Sequence, residues 1–284
     1  MNWLGLKNAF SAFLPDARDL WLLGYIVALV VFAWLESRYP ASDRSSSRTD
    51  RWFTNFGIGA FTIALATLTP VSAVIAAEWA AREKIGLLNA FPLPWIVGAA
   101  VTVFARSLIG YGFHVLLHKV PLLWRVHRVH HSDLHVDVST ALRSHPAEYI
   151  ALLFVVVPAA IALGFNPVVL AIFETIDASV NLAGHMNVRL PERLDRVLRV
   201  LFVTPNMHSI HHSSWHRETD SNYGNVFSIW DHMFRTYRDA PRDGYDGMQI
   251  GLKEIRDGRA ADLFWQLKSP IVKRIAPSNE SKAL

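Results

Sequence analysis

The stretch that decides the fold is LPWIVGAAVTVFARSLIGYGFHVLLHKVPLLWRVHRVHH, residues 93–131. Its first part, Leu93 to Leu117, is long enough to cross a bilayer as a helix and carries a single charge, Arg106. Its second part turns to histidine: His114 and His118 close the apolar run, and His127, His130 and His131 follow at once. Helical residues four apart share a face, so His114 and His118 point one way, and imidazoles at i, i+3 and i+4 form a patch one turn high. The same triplet returns at His208, His211 and His212. Together they predict a membrane protein with metal ligands gathered at one membrane face.

Further apolar segments flank this stretch. Leu20 to Leu35 is uncharged, with Trp21, Tyr25 and Trp34 near its ends as interfacial anchors. Trp52 to Ala77 is uncharged and broken only by Pro70. Tyr149 to Phe173 is uncharged too, yet Gly164-Phe165-Asn166-Pro167 is turn chemistry and predicts a helical hairpin from about residue 149 to about residue 183. The loop after the first span holds Arg38, Arg44, Arg48 and Arg51, and the loop after the second holds only Arg82 and Lys84. Positive residues favour the cytoplasmic side, which predicts residues 36–51, 119–148 and 186–284 there. Arg189 to Phe202 spaces Leu190, Leu194, Val197, Leu198 and Leu201 as an amphipathic helix. That helix either lies on the leaflet or packs on the protein's own cap.

Composition narrows the chemistry. Of 284 residues, 51% are hydrophobic and 18% charged, and mean hydropathy is +0.21, an apolar balance for a soluble domain. The absence of cysteine removes disulfides, thiolate-bound zinc, iron–sulfur ligation and cysteine nucleophiles. Any metal therefore rests on His, Asp or Glu. The net charge of +4 is not gathered into a basic tract, so nucleic acid is not an expected partner. Met1 to Leu20 carries Asp16, Arg18 and Asp19 in place of a cleavage site, which predicts a retained N-terminus. No internal repeat or second-domain boundary is visible, and residues 1–284 read as one domain.

Thirteen histidines are present, and eight lie in the pair and the two triplets. His185, after Asn181-Leu-Ala-Gly184 at the end of the hairpin, could supply a ninth. One metal with four to six sites could use only part of this set, whereas two metals would each be nearly filled and keep an open position. Imidazole suits iron, zinc, copper and nickel alike. His135, His216 and His232 lack a partner set and read as surface or supporting residues, while His145 is open between ligand, support and a structural role. Arg106, Glu174 and Asp177 sit in or beside apolar segments, where they pair with one another or support the ligands.

These residues resemble the fatty acid hydroxylase/sterol desaturase superfamily, whose ordered pattern HxxxH, HxxHH, a later His and HxxHH is met by the nine histidines. The likeness covers about residues 95–240. It extends to Ser139-Thr-Ala-Leu-Arg-Ser-His-Pro-Ala-Glu148, His185-Met-Asn-Val-Arg-Leu-Pro191 and Thr219-Asp-Ser-Asn-Tyr-Gly224. Trp230-Asp231 with Phe234-Arg-Thr-Tyr237 is similar to a WDxxFGTY element, with Arg235 where Gly is usual.

The resemblance implies an all-α integral membrane protein of about four transmembrane helices, the hairpin included, under a cytoplasmic helical cap that holds a dinuclear, all-histidine site. It implies two ferrous ions, zinc being able to substitute, held by His114, His118, His127, His130, His131, His185, His208, His211 and His212. It also implies O₂-dependent hydroxylation or desaturation of a membrane lipid: a sterol, fatty acyl or related lipid. Asp133, His145, Glu148, Asp220 and Asp231 are candidates to orient the rings. No haem module or dinucleotide fingerprint is visible, so a separate ferredoxin, cytochrome or reductase is the expected electron donor. Two alternatives are a dizinc hydrolase and a catalytically silent lipid- or metal-binding relative. The lack of a carboxylate within the histidine clusters counts against the hydrolase.

Overall fold

The computed structural model describes residues 17–42, 48–91, 93–273 and 275. The expectations on Met1 to Asp16, Arg44 and the last nine residues lie outside the described residues, as does the side chain of Trp21. All regular structure among the described residues is helical, with two isolated bridges, Phe202 to Phe227 and Ser213 to Ile250. Four segments are long and apolar enough to cross a membrane: Arg48–Ala90, Trp95–Lys119, Pro146–Leu163 and Pro167–Gly184.

Helix α1 (Ala17–Arg38) precedes them. It exposes Leu23, Ile26, Val27, Val30, Val31 and Trp34 along one side. Its inner side, with Tyr25, Leu29 and Phe32, packs on Val138, Ala141 and Leu182. Tyr25 thus faces protein, not the bilayer surface. At the end of α1, Glu36 is buried and accepts from the backbone N–H groups of Val138 and Asn187 at 2.9 and 3.0 Å.

The second apolar run is two helices, α2 (Arg48–Leu68) and α3 (Ala73–Arg82), separated at Pro70. Proline lacks the N–H that a continuous helix would need. Ser72 restarts the chain by accepting from the Ile75 N–H at 3.2 Å. The first turns of α2 are not lipid-facing, because Arg51, Thr54 and Asn55 are buried against the cap. Arg51, one of the charges in the predicted loop, is consumed in ion pairs to Asp133 at 2.5 Å and Asp137 at 3.1 Å. Further along, Ala73, Ala76 and Ala77 of α3 pack on Val156, Ala160, Phe165 and Leu170.

Helix α4 (Trp95–Lys119) is the predicted central span, and α5 (Pro121–His131) follows after a one-residue turn. Proline at the first position of α5 starts the new helix without losing a bond, since that N–H has no intrahelical partner. The hairpin is α6 (Pro146–Leu163) and α7 (Pro167–Gly184). Gly164 takes a left-handed conformation (φ 66°) after α6, and the Asn166 side chain accepts from the Val168 and Val169 N–H groups at 3.1 Å to begin α7. A Cβ on Gly86 would lie 2.4 Å from the Gly164 nitrogen, so these glycines let the two connections touch. Arg106 of α4 and Glu174 of α7 form a two-pronged ion pair at 2.7 and 3.1 Å, as partners of each other and not of the histidines.

The cap includes α5, a tight turn at Val138–Leu142, and the short helices α8 (Glu192–Leu198), α9 (Pro205–His211), α10 (Ile229–Phe234) and α11 (Leu263–Lys268). The predicted amphipathic helix survives only as α8. Its Asp195 is buried, pairs with Arg199 and accepts from the Thr204 hydroxyl at 2.5 Å, while Leu194, Val197 and Val200 are exposed. The segment therefore packs on the cap with one side and leaves an apolar edge outside.

Arg235 ends α10 in the left-handed region (φ 60°, ψ 35°), where a side chain crowds the backbone. The fold thus needs glycine-like geometry there, and arginine supplies it under strain. Arg235→Gly is expected to raise stability by up to about 1 kcal/mol. A thermal melt of the two proteins in the same detergent checks this, and an unchanged or lower midpoint would contradict it.

Candidate metal centre

The nine predicted histidines converge into two groups. His114, His118, His127, His131 and His211 form one, and His130, His185, His208 and His212 form the other. Within each group one nitrogen per ring lies within 4.8 Å of all the others. Each triplet divides between them. His127 and His131, four apart, share the first group, and His130 crosses to the second. His208 and His212 share the second group, and His211 crosses to the first. The groups touch through His131 and His212, whose rings stack at 4.6 Å.

Local structure aims these rings. Thr204 caps α9 by accepting from the Met207 N–H at 3.2 Å, and Pro205 opens the helix, which fixes the turn that carries His208, His211 and His212. His185 stands just past α7, its Nδ1 donating to the Asn181 carbonyl at 2.7 Å. His114 Nδ1 donates to the Tyr223 carbonyl at 2.8 Å, and His211 Nδ1 to the Ser221 carbonyl at 2.7 Å. His127 Nδ1 faces the Glu148 carboxylate at 3.0 Å, and His118 Nδ1 lies 3.4 Å from Asp220. A carbonyl can only accept, so each of those Nδ1 atoms carries the proton and leaves Nε2 as a bare lone pair.

The Nε2 atoms face one another. The Nε2 atoms of His114 and His127 are 3.2 Å apart, as are those of His127 and His131. In the second group His185 Nε2 lies 3.1 Å from that of His130, 3.0 Å from that of His208 and 3.2 Å from that of His212. The Nε2 atoms of His118 and His211 are buried with no hydrogen-bond partner. With the protons of His114 and His127 on Nδ1, their Nε2 lone pairs repel at 3.2 Å, and a cation about 2.0–2.1 Å from each would reverse the sign. The residues present therefore fit two metal ions.

Burial keeps the rings in the form that binds metal. Desolvation, aided by the neighbouring imidazoles, holds His130, His131, His208 and His212 well below the ordinary histidine range. Burial lowers His185 to about 4 and His211 to about 3. All six are neutral at pH 7.

The carboxylates divide by role. Glu148 and Asp220 meet imidazoles directly. Asp231 instead accepts from the Tyr223 and Gly224 N–H groups, both at 2.8 Å, and so braces the loop whose carbonyl holds His114. Asp133 accepts from Arg51, Asn55 and Thr140 and makes no hydrogen bond to an imidazole among the described residues. Burial pushes its carboxyl up, but Arg51 overrides this and holds it well below the usual carboxylate range. His145 caps α6, its Nδ1 accepting from the Ala147 N–H and its Nε2 meeting the Leu267 carbonyl, each at 3.1 Å, outside both groups. His216 is exposed, and His232 stacks on Tyr237.

Two parts of this framework had no role in the sequence reading. Arg143, fully buried, donates to the Val129 and Ala260 carbonyls, to Asn55 and to Ser132. Tyr223 packs its ring on His114, His118 and His211. Both lie in stretches that carry the family likeness, which was the only signal available for them.

Residues 99–236 match the fatty acid hydroxylase family. Among curated relatives, an ornithine lipid hydroxylase of Rhizobium tropici is 27% identical over 252 residues, covering 84% of this chain and 73% of that protein. An alkylglycerol monooxygenase of Danio rerio is 32% identical over 127 residues, covering 45% of this chain and 27% of its own length. A very-long-chain aldehyde decarbonylase of rice is 27% identical over 172 residues, covering 56% and 27%. No solved structure matches. The ordered histidine pattern, the match over residues 99–236 and these relatives together support the fatty acid hydroxylase/sterol desaturase superfamily for this chain.

Proposed function

We propose that the nine histidines hold two iron ions and that the protein uses O₂ to hydroxylate a membrane lipid. The observation that carries this is the pair of buried, all-imidazole groups in contact through His131 and His212, at the end of membrane-spanning helices. One group offers five imidazoles, more than a four-coordinate zinc site uses, and the family likeness points to iron. Relatives named as an ornithine lipid hydroxylase and an alkylglycerol monooxygenase support oxygen insertion over desaturation.

When bound, the metal pair supplies O₂ reduction and the removal of hydrogen from an unactivated C–H bond. The chain's own residues fix the rings and exclude water. Tyr223, Ser221 and Asn181 hold three tautomers through their carbonyls, and Glu148 holds His127. The balance is one lipid C–H, one O₂, two protons and two electrons giving the alcohol and one water. A separate ferredoxin, cytochrome or reductase supplies the electrons. Residues 1–284 act as one membrane domain with the metal groups on the cytoplasmic side, the side to which Arg38, Arg44 and Arg48 assign the loop after the first apolar run.

The test is isotopic. Protein loaded with iron, given reductant and ¹⁸O₂, should yield a lipid heavier by one labelled oxygen. Loss of two hydrogens without label would mean desaturation, label only from H₂¹⁸O in a cleaved ester would mean hydrolysis, and turnover under strict anaerobiosis would overturn the reading. Glu148→Ala tests the support of His127: metal affinity should fall roughly 10–100-fold, the usual cost of losing such a partner, as read by competition with a chelator. Unchanged affinity would remove Glu148 from the site.

A further inference from the structure

A groove of about 590 Å³ runs along the outer side of α4 and ends at Asp220 and Tyr223, which lie against His118. One wall is Leu108, Ile109, Gly112 and Val115, a stripe on a helix apolar enough to span the membrane. The other is Tyr111, Phe234 and Thr236, with Phe234 half exposed and stacked on Tyr111 at 5.4 Å. From Leu108 to Lys119 the stripe rises roughly 16 Å, so the groove starts at the level of lipid chains and finishes at the cap. Its volume is that of an ordinary small-ligand site.

The groove changes character along its length. At the cap end Lys119 donates to Asp220 at 2.6 Å, and Asp220 lies 3.4 Å from His118 Nδ1. Tyr223 closes that end, with its ring on His114, His118 and His211. It is fully buried, with the Asp220 carboxylate beside its hydroxyl, so the cap end of the groove is polar where the rest is apolar.

We propose that this groove seats one membrane lipid, its chain on the Leu108–Val115 stripe and its polar end at Lys119, Asp220 and the Tyr223 hydroxyl, and that this lipid is the substrate. Three features argue for a lipid over a protein partner. The apolar wall is continuous with the lipid-facing surface of α4, where Phe104 and Leu116 are also exposed. Phe234, on its outer wall, is half exposed. The only charges in the lining are the Lys119–Asp220 pair, at the height of a headgroup. Only the identity of the lipid as substrate rests on the oxidation reading; the seat itself does not.

Gly112 gives a clean test. A Cβ there meets nothing within 4 Å, so a larger side chain enters the groove and not the protein. Gly98, on the same helix and outside this groove, is equally open and serves as control. The intact protein is placed in phosphatidylcholine vesicles doped with a phosphatidylcholine that carries a diazirine on its acyl chain. It is irradiated without reductant, and labelled peptides are mapped. Label should concentrate on residues 108–115 and on the Phe234 peptide. Gly112→Phe should lower it roughly tenfold by filling the seat, Gly112→Leu less, and Gly98→Phe not at all. Melting temperature and metal content should stay as in the parent protein. With reductant and O₂, Gly112→Phe should lose the oxidised lipid as well.

Label that persists in Gly112→Phe, or that spreads evenly around α4, overturns the seat. Label lost while the yield of oxidised lipid is unchanged overturns its role as the substrate site. If the labelling follows the expected pattern and neither protein oxidises lipid, the seat stands and the oxidation reading falls.

Discussion

His131→Ala and His212→Ala are each expected to abolish lipid oxidation, lowering turnover by at least roughly a thousandfold, more than the loss of one stabilising donor usually costs. The two rings stack at 4.6 Å and belong to different groups, so each variant disables one proposed ion where the two sites meet. Their metal contents should differ. His131→Ala leaves four imidazoles in its group and should keep much of its ion. His212→Ala leaves three and should fall toward one ion per chain. His216→Ala, whose side chain is 87% exposed, should keep both ions and full turnover. Elemental analysis beside the ¹⁸O₂ assay reads both quantities. A His212→Ala protein that still oxidises lipid at the parent rate would end the dinuclear reading.

Arg143→Met is expected to destabilise the protein by about 3–5 kcal/mol, the cost of removing one partner from a buried charge network. Arg51, Asp133, Asp137 and Arg143 are all nearly inaccessible, and their formal charges cancel. Without Arg143 the cluster carries one uncompensated negative charge, and four acceptors each lose a donor: Val129 O, Asn55 Oδ1, Ser132 Oγ and Ala260 O. Val129 and Ser132 flank His130 and His131, so the loss loosens α5 where it carries ligands. Arg143→Lys should recover little, because a single ammonium cannot serve four acceptors spread around a planar fork. Thermal unfolding in one detergent measures both variants, and a shift within a degree or two for Arg143→Met would refute this account of the cap.

The helical spans were legible because the bilayer imposes a simple rule. A run of about twenty uncharged residues has few other fates, and Gly164 through Pro167 marked the hairpin through turn chemistry alone. The rule fails where a helix is half in protein. Arg51 and Asn55 stand in a stretch that reads as loop and span, but they are buried partners of Asp133, a residue about eighty positions away that no local pattern connects to them. Tyr25 reads as an interfacial anchor and packs inward for the same reason. Long-range contacts leave no periodic signal.

The sequence by itself determined that the protein is apolar, helical and free of cysteine chemistry, and that its histidines fall in helical pairs and triplets. Hydropathy, helical periodicity and side-chain chemistry are properties of single segments, so they can be read from a string. Only the tertiary structure decided how the triplets divide. Helical spacing puts His127, His130 and His131 on one patch, yet it does not say that His127 and His131 turn to one group and His130 to the other. That partition depends on where α4, α7 and α9 bring His114, His185 and His208 around α5. It is a matter of packing among four helices spread over residues 95–211, fixed by carbonyls of Tyr223, Asn181 and Ser221 that are the same in every residue and therefore invisible in the sequence.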